Sequence, residues 1–280
     1  MGNQRPVNGG KDAGSSAGRT RALTLLILIG ILLIAAQLRF TGLNWDEGQY
    51  IHPDEGHMRN TLSLIRWPDD LSLYFDTHRS PLNVRNREGH RYSYGTLPLF
   101  TVRAAAEWLD GACTESPSLV RREAAKLLAG SDVEGCRPGT FTGAYNAVVG
   151  RALSGLADLG TLVLIFLIGR RLYGEITGLL AAGLGAVTAF LIQQAHFFTV
   201  DSVACLFVTL AAYFAVRAAG VGQSQGVGGD AGRAAGDEDG SPEPARWFDF
   251  GAAGLAVGLA AACKVSAATA ALLVMLATAQ

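Results

Sequence analysis

Two Asp-Glu pairs stand close together in the segment NWDEGQYIHPDEGH, Asp46-Glu47 and Asp54-Glu55, with His52 and His57 around the second. A carboxylate beside a bound hydroxyl can take its proton, so either pair is a candidate for general-base work. The plainer alternative is an acid-rich, solvated loop. A further acid, Asp201 in QQAHFFTVDSVACLFVTL, stands at the start of a long apolar run. An ionisable group is costly there unless it faces a cavity or a partner. Lys264 interrupts another apolar run, GLAVGLAAACKVSA. It can offset charge on a departing phosphate, or snorkel to lipid headgroups. A divalent metal at His52, Asp54, Glu55 and His57 is the weaker reading, because their spacing matches no strong metal signature. No metal is therefore assigned and no cofactor is required. The Gly-rich stretch 226–232 lacks the Lys-Ser/Thr ending of a phosphate loop, which excludes nucleotide binding there.

The elements that must position these residues are set by composition. The chain has 280 residues, 49% hydrophobic but only 17% charged, where a soluble chain carries about a quarter charged residues. Its charges are absent from several long stretches, which points to a membrane. Net charge is −1, so no basic excess argues for nucleic acid. Residues 1–21 hold Arg5, Lys11, Arg19 and Arg21 against the single acid Asp12 and read as a disordered basic tail. Residues 22–40 form a first spanning helix, with Arg39 free to snorkel at its far end. A segment of 41–145 follows as a large extramembrane loop, holding 14 of the 24 acids. Within it, 95–109 is apolar on one side but short and charged, an amphipathic helix for the interface.

Three further spans are predicted at 147–168, 176–192 and 200–216, within a bundle segment 146–219. A Gly, Ala and acid-rich stretch, 220–246, reads as a flexible linker. Residues 247–280 supply a fifth helix ending near Lys264 and the start of a sixth, so the chain reads as the N-terminal portion of a longer protein. Arg170, Arg171 and Arg217 follow spans two and four, which by the positive-inside rule places those ends and the N-terminus in the cytoplasm. The same count puts Asp54, Asp201 and Lys264 together on the outer face, where two acids and a base suit a lipid-phosphate substrate. Cys205 and Cys263 lie in apolar runs as small hydrophobes. Cys113 and Cys136 share the outer segment, and a disulfide between them rests on that shared location alone. Small residues in GLLAAGLGAV and GAAGLAVGLAAA allow close helix approach and speak to packing.

This pattern resembles the integral-membrane glycosyltransferases of the C-type fold, in particular family 39 and its phospholipid-carrier-dependent relatives, similar to protein O-mannosyltransferases and aminoarabinose transferases. The resemblance rests on HPDE (His52 to Glu55), on Tyr-Gly-x-Leu-Pro-Leu (Tyr94 to Leu99), and on GRALSGLADLGTLVLIFLIGRRLYG. HFFTVDS with Asp201, and the segment around Lys264, complete it. It implies an all-α polytopic membrane protein, the N-terminal half of that fold, with about five to six spanning helices and a large extracytoplasmic loop carrying interfacial helices. It further implies inverting transfer of a sugar from a polyprenyl-phosphate donor to an acceptor hydroxyl on a lipid, glycan or protein. By the same resemblance Asp54 looks like the general base, with Asp46 its competitor. Glu55 would orient it or the acceptor, Asp201 looks like the second acidic position, and Lys264 resembles a basic contact to the carrier phosphate. His196, Asp46 and Glu47 join Lys264 as candidate substrate contacts. The alternative of another class is a multi-pass transporter or flippase for a lipid or sugar, which should hold ionisable groups near mid-membrane and show internal repeats.

Overall fold

The computed structural model describes residues 10–86, 92–114, 116–220 and 244–278. The described residues are helical, with α1 (Gly10–Phe40), α2 (Pro53–Leu64), α3 (Leu71–Phe75), α4 (Leu97–Asp110), α5 (Leu119–Ala129) and α6 (Asn146–Tyr173). The chain continues through α7 (Glu175–Val187), α8 (Ala189–Ala195), α9 (Asp201–Ala218), α10 (Pro244–Cys263) and α11 (Ala271–Thr278). Among the described residues, Gly18–Phe40, Asn146–Tyr173 and Asp201–Ala218 are each long and apolar enough to cross a membrane, and the bent pair α7–α8 meets the same length and composition only when its two helices are taken together. The protein is an all-α polytopic membrane protein. α10 and α11 belong to shorter apolar helices, Trp247–Cys263 and Val265–Ala277.

Two helix starts differ from expectation. α1 continues back to Gly10, so residues 10–21 of the expected disordered tail are helical. Extending a helix already nucleated by an apolar span costs little, whereas starting one is unfavourable. α10 likewise begins at Pro244, three residues inside the expected linker. The rest of that linker, residues 221–243, lies outside the described residues, as do residues 1–9.

α6 is the hub of the bundle. Its close approach to α7 needs glycine on both sides: a Cβ on Gly178 would stand 2.6 Å from the Phe166 carbonyl oxygen and 2.9 Å from the Arg170 amide nitrogen. Such contacts let helices gain packing energy in a lipid environment. The expected single span 176–192 is instead broken, with α7 and α8 meeting at 61°. Thr188 adopts an extended conformation between them, and its hydroxyl donates to the Leu184 carbonyl at 2.7 Å.

That break explains a second correction. Arg39 does not snorkel but is fully buried. Its guanidinium pairs with Asp158 of α6 and donates to the carbonyls of Ala186 at 2.8 Å and Gly185 at 3.1 Å. Carbonyls at a helix C-terminus lack intrahelical donors and carry partial negative charge. With Asp158 they supply a better environment for Arg39 than the headgroup level would.

The long segment between α1 and α6 folds into a cap rather than a loop. Met58, Leu62, Leu99, Val102, Ala106 and Phe141 form a core that continues onto Val149 of α6 and Phe198 before α9. A disulfide joins Cys113 to Cys136, tying the end of α4 to the strand of chain that returns to α6. The expected amphipathic helix at 95–109 is α4, and its apolar face lies on this core.

Candidate active site

The ends of α1, α6, α8, α9 and α10 nearest the cap meet beneath it. Pro53 occupies the first turn of α2, where its fixed φ and missing N–H fit. Asp54 and Glu55 follow in that turn, which the positive end of the helix dipole favours. Being adjacent on a helix they point about 100° apart, and their surroundings diverge accordingly.

Glu55 is fully buried. It receives both Nε and a terminal nitrogen of Arg151 at 2.7 and 2.6 Å, and the Phe198 amide donates to it at 2.9 Å. Asp46 faces the other side of the same guanidinium, at 2.9 and 2.7 Å, and Arg151 also donates to the Leu43 carbonyl at 2.7 Å. The Tyr50 and Gly48 amides donate to Asp46 as well, at 2.9 and 3.3 Å. Hydrogen bonds from Arg151 hold the Asp46 carboxyl below its ordinary pKa, against an opposing push from burial. The side chains of all three residues are inaccessible to solvent. A guanidinium has five N–H donors in a planar fork, and here all the Arg151 nitrogens are engaged by two carboxylates and a carbonyl.

The turn that presents Asp46 is held in a costly shape. Glu47 and Tyr50 both have positive φ, 49° and 50°, which non-glycine residues seldom adopt. Arg59 lies 4.0 Å over the Tyr50 ring, and the Tyr50 hydroxyl donates to the Ala144 carbonyl at 3.2 Å. Glu47 itself is exposed.

Asp54 is only half-buried and accepts a hydrogen bond from the Tyr94 hydroxyl at 3.2 Å. Across from it, Lys264 Nζ donates to Asp201 at 2.8 Å, with side chains 40% and 45% exposed, so both keep solvent-facing valences. Burial raises the Tyr94 pKa, and the neighbouring charges of Asp54 and Asp201 push the same way while Lys264 opposes them. These four groups therefore share one electrostatic neighbourhood. What brings them together is a backbone contact: the Gly95 amide donates to the Cys263 carbonyl at 2.9 Å. A Cβ on Gly95 would stand 1.9 Å from the Ala262 carbonyl oxygen, so only glycine permits that approach. Lys264 has an extended backbone at the end of α10, and its side chain reaches Asp201 at the start of α9.

His196 occupies a different setting. Its ring nitrogens lie 2.8 Å from the Ile192 carbonyl and 3.0 Å from that of Thr41, bridging α8 to the end of α1. His52 packs at a tilt against Phe197, and His57 stacks on Tyr92. Among the described residues no three His, Cys, Asp or Glu side chains gather as an ion site.

Sequence reasoning grouped Asp54, Asp201 and Lys264 and the structure brings them to one end of the bundle. Arg151 was missed. It stands in an apolar stretch of α6 and its partners lie 105 and 96 residues away, so no local pattern marks it. Its one signal is its own presence in a spanning helix, where an ionisable group implies a partner. Tyr94 carried no role on sequence grounds beyond its place in the Tyr-Gly-x-Leu-Pro-Leu segment.

Residues 141–228 match the family model described as dolichyl-phosphate-mannose-protein mannosyltransferase. The matched segment contains α6 to α9, and with them Arg151, His196 and Asp201. No curated protein and no solved structure matches the chain. The match and the all-α membrane fold together support a mannosyltransferase-like membrane glycosyltransferase, in agreement with the resemblance read from the sequence.

Proposed function

We propose that the protein transfers a sugar from a polyprenyl-phosphate donor to an acceptor hydroxyl, with inversion, at the extracytoplasmic membrane face. The observation that carries this reading is the contrast in coordination between neighbouring acids. Among the described residues Asp54 keeps an oxygen free beyond its contact with Tyr94, while Asp46 and Glu55 are saturated by Arg151. Asp54 is the general base that takes the acceptor proton as its oxygen attacks the anomeric carbon. The carbon–phosphate oxygen bond breaks on the opposite side, and the carrier leaves as a phosphate anion that needs no proton. Lys264, held by Asp201, offsets charge on that anion. Glu55 fixes the first turn of α2 and is thereby a positioning residue. Asp46 and His196 act in the same indirect manner, and exposed Glu47 remains available to the acceptor.

The extracytoplasmic assignment is supported by Arg170, Arg171 and Arg217 at the opposite end of the bundle and by the Cys113–Cys136 disulfide in the cap, which suits an oxidising compartment. One feature favours the transporter alternative, the Arg39–Asp158 pair within the spanning bundle. It is sealed by α7 carbonyls rather than open to a pathway, and reads as a strut. The test is sugar transfer from a panel of polyprenyl-phosphate sugars by membranes containing the full-length protein, wild type beside Asp54→Asn. Transfer lost in the variant at equal protein level supports the assignment. Absence of transfer by the wild type across the panel, with movement of a labelled lipid or sugar across the membrane, supports the transporter instead.

A further inference from the structure

A pocket of about 430 Å³ opens at the end of the bundle away from the cap, between α1, α6 and the start of α7. Arg21, Thr24 and Leu25 of α1, Phe166 and Arg170 of α6, and Glu175 of α7 line it, and α6 gives way to α7 there across the single residue Gly174. Residues 21, 24 and 25 share one side of α1, and residues 166 and 170 are one turn apart on α6, so helical spacing brings both arginines to the same opening. Arg21 is the last charge before the apolar run of α1, and Arg170 stands in the last turn of α6. From Arg151 to Arg170 is roughly 28 Å along α6, about one hydrocarbon thickness. The pocket is thus at the opposite membrane boundary from the candidate active site.

The charges on its walls select an occupant. Glu175 is turned to α1, where the Thr24 hydroxyl donates to it at 2.6 Å. The Arg170 guanidinium lies 5.6 Å over the Phe166 ring, and both residues belong to the pocket wall. Among the described residues neither Arg21 nor Arg170 is in an ion pair. The lining therefore holds two guanidiniums without ion-pair partners against one carboxylate, with Leu25 and Phe166 supplying apolar surface beside them. Guanidinium forks fit phosphate oxygens, and the phosphate abundant at a membrane boundary is that of a lipid headgroup. We infer that this pocket holds an anionic phospholipid of the leaflet away from the cap, its phosphate between Arg21 and Arg170 and its glycerol end against Leu25 and Phe166. The site shares no residue with the Asp54–Lys264 cluster, and it stands whether or not the glycosyltransferase reading does.

Leu25 lines the pocket and is 55% exposed, so Leu25→Trp places a reporter there. The full-length protein carrying it is reconstituted in phosphatidylcholine vesicles containing brominated phosphatidylglycerol or, separately, brominated phosphatidylcholine. Quenching beyond that of the protein without the added tryptophan reads occupancy of the pocket. One excess positive charge at a membrane surface is worth about fivefold, so phosphatidylglycerol should be preferred by about that factor. Arg21→Gln and Arg170→Gln should each bring the ratio to about one, and Arg21→Lys should retain most of it. Glu175→Gln removes the opposing charge and should raise the ratio to about twenty-five-fold. Variants are compared at an unchanged unfolding temperature, and Arg21→Gln, at an exposed position, carries the test where Arg170→Gln does not fold. A ratio near one in the wild type, or one that neither arginine substitution lowers, overturns the inference. Loss of the preference on adding inorganic phosphate, against chloride at equal ionic strength, overturns it by making a soluble phosphate the occupant. Displacement of the brominated phosphatidylglycerol by polyprenyl phosphate at a stoichiometric amount overturns it as well, by making the carrier the occupant.

Discussion

The two clusters of charge beneath the cap use the same residue types to opposite ends. Arg151 with Asp46 and Glu55 is sealed from solvent and every carboxylate oxygen has a donor. Lys264 with Asp201, beside Asp54 and Tyr94, is nearly half exposed and, among the described residues, leaves oxygens and N–H groups unspent. A closed cluster has nothing left to offer a substrate, so its contribution is to shape. An open one contributes little to stability and keeps its valences for a ligand. Adjacent residues of one Asp-Glu pair, Asp54 and Glu55, fall on either side of this division.

The sharpest way to break the comparison is to open the closed cluster. Arg151→Met leaves two buried carboxylates without a counter-charge and should cost about 3–5 kcal/mol, seen as a large fall in unfolding temperature or loss of folded protein from the membrane. Gly95→Ala comes next. Its Cβ would overlap the Ala262 carbonyl, so the 94–96 turn must move off the end of α10. A cost of about 1–3 kcal/mol is expected, together with reduced transfer as Tyr94 and Lys264 separate. Acidification should act on the closed cluster through Asp46. Its pKa is lowered in the fold, so its stabilising contribution is complete above about pH 4, the unfolded value, and is lost as pH falls through the lower folded value. The unfolding temperatures of wild type and Asp46→Asn should accordingly converge on acidification below about pH 4, measured in detergent by calorimetry. The smallest stability effect belongs to the open cluster. Lys264→Gln should change stability by less than about 1 kcal/mol because the pair is exposed, while transfer falls by tenfold or more, about the effect of losing one electrostatic contact to a developing anion.

Local patterns were enough for much of this architecture. Apolar runs of sufficient length marked α1, α6 and α9, and the short amphipathic stretch marked α4 as an interfacial helix rather than a span. Counting crossings placed Asp54, Asp201 and Lys264 together before any contact was visible. What escaped were features decided by distant partners. Arg39 looked like a snorkelling residue because Asp158 and the carbonyls freed at Thr188 lie more than a hundred residues away. The bend at Thr188 is itself carried by a single extended residue in an otherwise continuous apolar run. The disulfide needed the fold of α4 and α5 to bring Cys113 and Cys136 together. In the candidate site, the adjacency of acids in HPDE was legible, but which acid is free depends on Arg151, and that required three dimensions.

The most direct test of the division is a paired measurement on Asp54→Asn and Asp46→Asn, reading sugar transfer and unfolding temperature on the same preparations. Asp54→Asn should lose transfer by at least about a hundredfold with its unfolding temperature unchanged, and Asp46→Asn should lose unfolding temperature first, with transfer falling only as folded protein does. An Asp46→Asn protein that melts like the wild type and transfers no sugar, beside an active Asp54→Asn, would contradict the account.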